Sequence, residues 1–307
     1  MSERDEIKKA IELATQGKHS EARDAVLRLE PCIKELGMRL QLIDVAMSVL
    51  NNVKDNAKKA ALSHEGTRIA EKIGRPDLQA HFMAKTADLA TLRVAMWHHR
   101  RSILKLAPRW FQFATETDNR EYESLSTLID NLEREIDTLL SQANTLAERS
   151  GDKKIHASVL MSRGSIESAR YLRFQADCLR GVRAKLWAKF RFVRYPIFLY
   201  LLTFSNGDAR ILITYVKSFI GSFLKAAQLS EQIDDPLAGY AYYNLANHLR
   251  SAYRFSAAKR YLRKARTIAL KHKDTALMPQ LEQMEKYIRA KNRDIPDYLS
   301  GETRELK

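Results

Sequence analysis

Apolar side chains recur at every third or fourth position along most of the chain, whereas the apolar–polar alternation of a strand is hard to find. The first such set is Ile7, Ala10, Ile11 and Ala14. A break at Gly17 follows, and then a second set with helical spacing at Ala22, Val26 and Leu29. Because steps of three and four place side chains on one face of a helix, the sequence predicts amphipathic helices joined by short turns.

A helix end followed by a turn and a new helix start recurs along the chain. The pattern occurs in residues 34–40, 70–78, 147–155, 230–238 and 270–278. Gly37 and Gly74 are 37 residues apart, Gly74 and Gly151 are 77 apart, or about two such units, and Asp235 and Asp274 are 39 apart. A period of 37–39 residues with two helices per unit is typical of an α-solenoid, and the glycines suit the left-handed position that ends a helix.

The chain has no long linker, so the sequence predicts a single helical-repeat domain over residues 1–293 and a flexible tail over 294–307. The repeat is regular over 1–90 and 208–293 and irregular over 91–207.

Three further elements are predicted within this domain. Residues 119–149 form one long helix, and a turn at 205–208 caps a helix from about 209 to 233. The last helix, from about 275 to 292, has one apolar and one polar side, which suits the capping helix of a solenoid.

Residues 242–269 resemble one tetratricopeptide repeat over nearly its full length. The matching positions are Tyr242, Leu245, Ala246, Ala258, Leu262 and Ala265. Residues 17–29 resemble the turn and second helix of such a repeat, with His19 in the aromatic place and Ala22 in the small place. The resemblance implies an all-α, right-handed solenoid of antiparallel helix pairs. It also implies a binding scaffold, with Asn244 and Asn247 facing the groove, where their side-chain amides could hold a peptide backbone.

The charge of the chain is strongly basic and unevenly distributed. The net charge is +15, and residues 236–273 contain nine cations and no carboxylate. Residues 170–194 carry a net +7 and residues 93–109 a net +5, whereas residues 116–148 carry a net −7. Such segregation favours an acidic protein or nucleic acid as a partner, although a basic surface that only keeps the protein soluble remains an alternative.

The leading hypothesis is a non-catalytic adaptor that binds an acidic protein or peptide. The residues predicted to contact this partner are Asn244, Asn247, Arg250, Arg254, Arg260 and Arg263. Pairing of the basic repeat with the acidic helix of another copy would give a homo-oligomer, which is left open.

A second hypothesis is binding of RNA or single-stranded DNA, because aromatic residues alternate with arginines between 170 and 195. The residues predicted for that contact are Arg173, Arg180, Arg183, Lys189 and Arg191. The alternative is that the rings are core and the arginines extend outward to water.

Catalytic and metal-binding motifs are missing from the sequence, so no enzyme activity, no metal and no cofactor is predicted. The two cysteines, Cys32 and Cys178, have no ligand-like spacing and favour a reducing, cytoplasmic environment. The longest apolar run, residues 195–204, is too short to cross a bilayer and is predicted to be a buried helix.

Overall fold

The computed structural model describes residues 3–51, 54–106, 116–181, 206–251 and 255–294, and within these ranges every regular element is a helix. The helices are α1 Glu3–Thr15, α2 His19–Leu29, α3 Leu36–Val49, α4 Asn56–Lys72, α5 Pro76–Leu106, α6 Glu116–Ser150, α7 Lys153–Gly181, α8 Asn206–Gln232, α9 Leu237–Ser251, α10 Phe255–Lys271 and α11 Leu277–Asp294. The prediction of an all-α protein is therefore confirmed for this part of the chain. The predicted buried helix at 195–204 lies outside the described residues.

Glycine ends three of these helices in the way that the sequence predicts. Gly17, Gly74 and Gly151 have φ angles of 76°, 69° and 71°, in the left-handed region that a side chain disfavours. The prediction for Gly37 is wrong, because this residue lies in the first turn of α3. Helix α2 has already ended at Leu29, so the helix end that Gly37 was expected to mark lies several residues earlier.

An aspartate recurs at the start of a helix after such a turn. The backbone N–H of Leu237 donates to the carboxylate of Asp235 at 2.8 Å, and that of Leu277 donates to Asp274 at 2.9 Å. The predicted spacing of 39 residues between the two aspartates thus corresponds to a repeated helix start. Asp152 accepts a hydrogen bond from the N–H of Lys154 in the same way, at 2.9 Å.

The middle of the chain departs from the predicted period. Between Gly74 and Gly151 the structure describes two long helices, α5 and α6, of 31 and 35 residues, where the spacing predicted two repeat units. The prediction of one long helix over residues 119–149 is confirmed by α6. Helix α6 has no internal glycine or proline that could divide it. The predicted turn at 205–208 is also wrong, since α8 already begins at Asn206.

The chain divides into two compact units, unit 1 over Met1–Ile155 and unit 2 over His156–Lys307. In unit 1 consecutive helices from α1 to α6 pack on one another, and α1 also contacts α3. In unit 2 α8 packs on α9, α9 on α10 and α10 on α11, and α9 also contacts α11. A single domain over 1–293 stays a prediction.

The residues that resemble a tetratricopeptide repeat form the core of unit 2. Ala258 and Ala265 of α10 are completely buried, and Leu245 and Ala246 of α9 are equally inaccessible. The predicted burial of the two alanines is confirmed, and the predicted final helix has its apolar side in the same core through Leu281 and its neighbours.

Each unit also contains a helix glycine against a phenylalanine ring. A Cβ at Gly66 of α4 would lie 2.9 Å from the ring of Phe82, and one at Gly164 of α7 would lie 2.8 Å from that of Phe223. Both rings are fully buried, so the missing side chains allow two helices to approach closely. Among the helices described, none is long and apolar enough to span a membrane.

Candidate functional site

The cations of α10 surround a narrow buried stripe. This stripe consists of Phe255, Ala258, Leu262, Ala265 and Ala269. Its spacing of three and four places one side of the helix in the core. Six of the other twelve positions of α10 are lysine or arginine, so the helix presents positive charge on more than one side.

Some of these cations line a groove between α10 and α11, here called the cationic groove. It has a volume of about 250 Å³ and is lined by Lys259, Leu262, Arg263, Arg266, Glu285, Ile288 and Arg289. Four cations and one carboxylate give these walls a net charge of +3. Two apolar side chains complete the lining, so an anion bound there would contact positive charge with part of its surface shielded from water.

Glu285 of α11 fixes the position of one wall of the cationic groove. Nη1 of Arg266 donates to both carboxylate oxygens of Glu285 at 3.1 Å, and Nη2 of Arg289 lies 3.7 Å from the same carboxylate. The Glu285 side chain is 21% exposed, so water screens this pair less than a fully exposed one. The carboxylate therefore holds the Arg266 guanidinium at the groove and lies near that of Arg289, whose side chain is 77% exposed.

The side chain of Arg263 makes no hydrogen bond or ion pair within the described part of the chain. Its backbone carbonyl accepts a hydrogen bond from the Thr267 hydroxyl at 3.1 Å. It is exposed and lines the groove beside Arg266. An arginine has five N–H donors in a fixed fork, and those of Arg263 are available to a ligand.

The other predicted partner residues lie in different surroundings. On α9, Nη2 of Arg250 donates to Oδ1 of Asn247 at 2.9 Å, and the Arg250 guanidinium lies over the ring of Tyr287, 4.4 Å from its centre. Asn244 is partly exposed on the same helix. That the predicted residues form one partner site stays a prediction.

Arg260 is three residues from Arg263 but does not line the cationic groove. Its guanidinium lies over the ring of Tyr261, 5.0 Å from the centre, and donates to the Tyr261 hydroxyl at 3.2 Å. Arg254 lies outside the described residues.

Internal partners hold several of the cations in residues 236–273. Lys264 lies over the ring of Tyr242, with Nζ 5.0 Å from its centre, as Arg250 and Arg260 lie over theirs. Lys271 pairs with Asp234, just outside the segment. The faces of these tyrosine rings carry a negative electrostatic potential, which stabilises the cations in the absence of carboxylates in this segment.

The residues predicted for nucleic-acid contact are described only in part. Arg173 is half-buried on α7, and Arg180 lies on the same helix, where its side chain is not described. Arg183, Lys189 and Arg191 lie outside the described residues. The hypothesis of a basic, aromatic nucleic-acid surface therefore stays a prediction.

Unit 1 contains a second groove that sequence reasoning missed. Helix α3 is buried almost all round and leaves one exposed row at Gln41, Asp44 and Ser48. Nε2 of His81 on α5 lies 3.1 Å from Oδ1 of Asp44. Two cavities of about 320 and 370 Å³ adjoin this pair, and both are lined by Gln41, Asp44 and His81.

The hydrogen bond from His81 lowers the pKa of the Asp44 carboxyl below its usual range. The side chain of Asp44 is nevertheless 65% exposed, so this carboxylate remains accessible as an acceptor. Because α3 is covered on most sides, its sequence shows little contrast between an apolar and a polar face. The spacing of apolar residues therefore did not predict that Gln41, Asp44 and Ser48 are exposed.

Ser168 and His248 of unit 2 form a pair that is enclosed by other protein groups. The Ser168 hydroxyl donates to the carbonyl of Ser165 at 2.9 Å and lies 2.9 Å from Nε2 of His248. Burial, with a smaller effect of Arg250, lowers the pKa of His248 to about 4, so the imidazole is neutral at pH 7. Its ring stacks on Phe223, and Ser168 is only 2% exposed, which leaves no room for a substrate.

Within the ranges that the structure describes, no group of three or more His, Cys, Asp or Glu residues could hold a metal ion. No protein-family model matches the chain, and none of the curated proteins matches it either. The tetratricopeptide assignment therefore rests on the sequence resemblance alone.

Proposed function

We propose that this protein is a non-catalytic scaffold of tetratricopeptide-like helix pairs, and that unit 2 binds an acidic segment of another protein. The observation that carries this proposal is the cationic groove, where four cations from two helices surround a single carboxylate. A surface that only keeps a protein soluble would not need its cations to converge on one groove.

The packing of the helices supports a solenoid of antiparallel pairs. In each unit consecutive helices contact one another, and the contacts α1 with α3 and α9 with α11 join helices two apart. A stack of helix pairs produces this pattern, because the first helix of a pair packs on its own partner and on the first helix of the next pair. In the proposed arrangement α11 is the capping helix.

The groove of unit 1 provides a second surface of different chemistry. Its exposed row carries an amide, a carboxylate and a hydroxyl, from Gln41, Asp44 and Ser48. Such groups can donate to and accept from a peptide backbone. In the proposed scaffold this groove offers a second, separate surface to a peptide backbone.

Binding of a labelled oligoglutamate peptide to the full chain tests the proposal. Arg263→Glu should weaken binding by about tenfold or more, since it replaces a groove cation by a like charge of the ligand. Arg260→Glu is the matched control on the same helix, and its effect should be much smaller because Arg260 lies over Tyr261, outside the groove. Equal affinity of the parent and both variants would contradict an acidic partner at this groove.

A single-stranded oligonucleotide in the same assay distinguishes nucleic-acid binding, the second candidate function, from binding of an acidic peptide. Binding through phosphates would fall steeply with salt by counterion release. If the oligonucleotide binds more tightly than any acidic peptide, and Arg263→Glu leaves that binding unchanged, the basic segment at 170–194 becomes the preferred site and the adaptor proposal is replaced.

A further inference from the structure

The cationic groove has the chemistry of a site for a doubly charged group. Its walls keep a net charge of +3 after Glu285 is counted, which is more than one carboxylate can neutralise. A phosphate monoester carries a charge of about −1.5 to −2 at pH 7 and has three strong acceptor oxygens. It therefore matches the number of positive groups and of donors in the groove better than an aspartate or glutamate side chain.

The arrangement of the arginines supports the same ligand. Arg263 is free of protein partners among the described side chains, Arg266 is held at the groove by two hydrogen bonds to Glu285, and Arg289 lies 3.7 Å from the same carboxylate. Guanidinium groups bind phosphate through paired N–H donors, and orienting them in advance lowers the entropy lost on binding. Glu285 thus acts as a positioning residue that also prevents the arginines from repelling one another.

The size and lining of the groove favour a protein side chain over a nucleic acid. A volume of about 250 Å³ suits one phosphorylated side chain with its immediate neighbours. The lining contains no aromatic ring on which a base could stack. The remaining lining is the buried apolar floor formed by Leu262 and Ile288.

We propose that the groove between α10 and α11 binds a phosphate monoester on a serine or threonine of a partner protein. This inference rests on the proposed function and specifies the acidic group that the scaffold recognises. It identifies Arg263, Arg266 and Arg289 as the phosphate-binding residues and Glu285 as the residue that orients two of them.

Three peptide libraries, randomised around a fixed central residue, test this inference with the full-length chain. The centre is serine, glutamate or phosphoserine. We expect retention of the phosphoserine library to exceed that of the glutamate library by about tenfold, because hydrogen bonds between two charged groups are the strong ones and the dianion accepts more of them. Arg263→Gln should abolish the excess, whereas Arg260→Gln should keep it.

Further measurements distinguish a phosphorylated peptide from free phosphate and test the role of Glu285. Inorganic phosphate should compete weakly with the phosphoserine library, since it lacks the flanking peptide contacts. Retention should fall as the pH drops through about 6, where the monoester gains a proton. Glu285→Gln should reduce the phosphoserine excess without loss of helicity by circular dichroism, because Arg266 and Arg289 lose their common partner.

The outcomes distinguish this inference from the proposed function. Equal retention of the glutamate and phosphoserine libraries, both lost in Arg263→Gln, overturns phosphate selectivity and leaves the acidic-partner function standing. If neither library exceeds serine, both ideas are wrong. Displacement by an oligonucleotide at lower concentration than by any phosphopeptide would overturn the inference in favour of a nucleic-acid ligand.

Discussion

Carboxylates pair with cations in both units, but the helix pair α9 and α10 of unit 2 uses tyrosine rings for its cations more than the described part of unit 1 does. In unit 1 arginines pair with carboxylates, as Arg39 does with both oxygens of Glu65 at 2.7 and 2.9 Å. In the helix pair α9 and α10 of unit 2, cations lie over tyrosine rings, as Arg250 does over Tyr287. A carboxylate cancels a positive charge, whereas a ring face only stabilises it, so the helix pair α9 and α10 keeps a positive surface.

This difference extends to the buried polar groups. In unit 1 the 4%-exposed Lys59 donates from Nζ to the carbonyls of Met47 and Leu50 and thereby satisfies the end of α3. In unit 2 the buried hydroxyl of Ser168 lies 2.9 Å from Nε2 of the neutral, half-buried His248, whose ring stacks on Phe223.

The largest expected effect is common to both units and tests whether their cores are equivalent. Phe82→Ala and Phe223→Ala should each lower the free energy of unfolding by about 3–5 kcal/mol, because each ring is fully buried against a glycine. Denaturant unfolding followed by circular dichroism measures this. Leu270→Ala, at a position 59% exposed, is the control and should change little. A small effect at either phenylalanine would mean that the unit containing it is not held together by this contact.

The next effect belongs to unit 2 and depends on pH. The pKa of His248 is about 4 in the folded protein, against about 6.5 for an ordinary histidine. The unfolded chain therefore gains a proton first as the pH falls, so stability present above pH 6.5 is lost progressively down to pH 4, by up to about 3 kcal/mol. Unfolding midpoints measured between pH 7 and pH 4 check this.

His248→Gln should remove that part of the pH dependence, whereas His19→Gln, at an exposed position, should keep it. If both variants show the same pH dependence of stability as the parent, the pKa of His248 is not lowered by the fold.

A smaller effect tests the tetratricopeptide-like packing of unit 2. Ala258→Leu should cost about 1–3 kcal/mol of stability, because the fully buried alanine has no space for a larger side chain. Ala290→Leu, on the exposed side of α11, is the matched control. Thermal melting of both variants measures the effect. An unchanged melting temperature for Ala258→Leu would show that residues 242–269 are not aligned with the tetratricopeptide repeat as predicted.

The smallest effect concerns the exposed pair in the groove of unit 1. Asp44→Asn should lower stability by less than about 1 kcal/mol, since the carboxylate is 65% exposed and water screens its interaction with His81. The pKa of Asp44 is lowered in the folded state, so the stability from this pair is present near neutral pH and is lost as acid protonates the carboxylate. Chemical denaturation at neutral and acidic pH measures both changes, and a loss of several kcal/mol would show that the pair is part of the core.

The sequence by itself determined the local features of this protein. Helical periodicity and the scarcity of glycine and proline predicted an all-α chain, and Gly74 and Gly151 marked true helix ends. Ala258 and Ala265 were predicted as buried, because small residues seven apart lie on one helix face. These properties depend on neighbours within one or two turns, so a linear pattern contains them.

Tertiary structure alone decided which charges act together. The nine cations of 236–273 looked like one surface, yet packing put Arg263 in a groove and Arg260 on a tyrosine ring, three residues away. Glu285 and Arg289 belong to the next helix, and no spacing within α10 shows that they reach Arg266. Whether two side chains meet across helices depends on how the helices pack, and that is a property of the folded core as a whole.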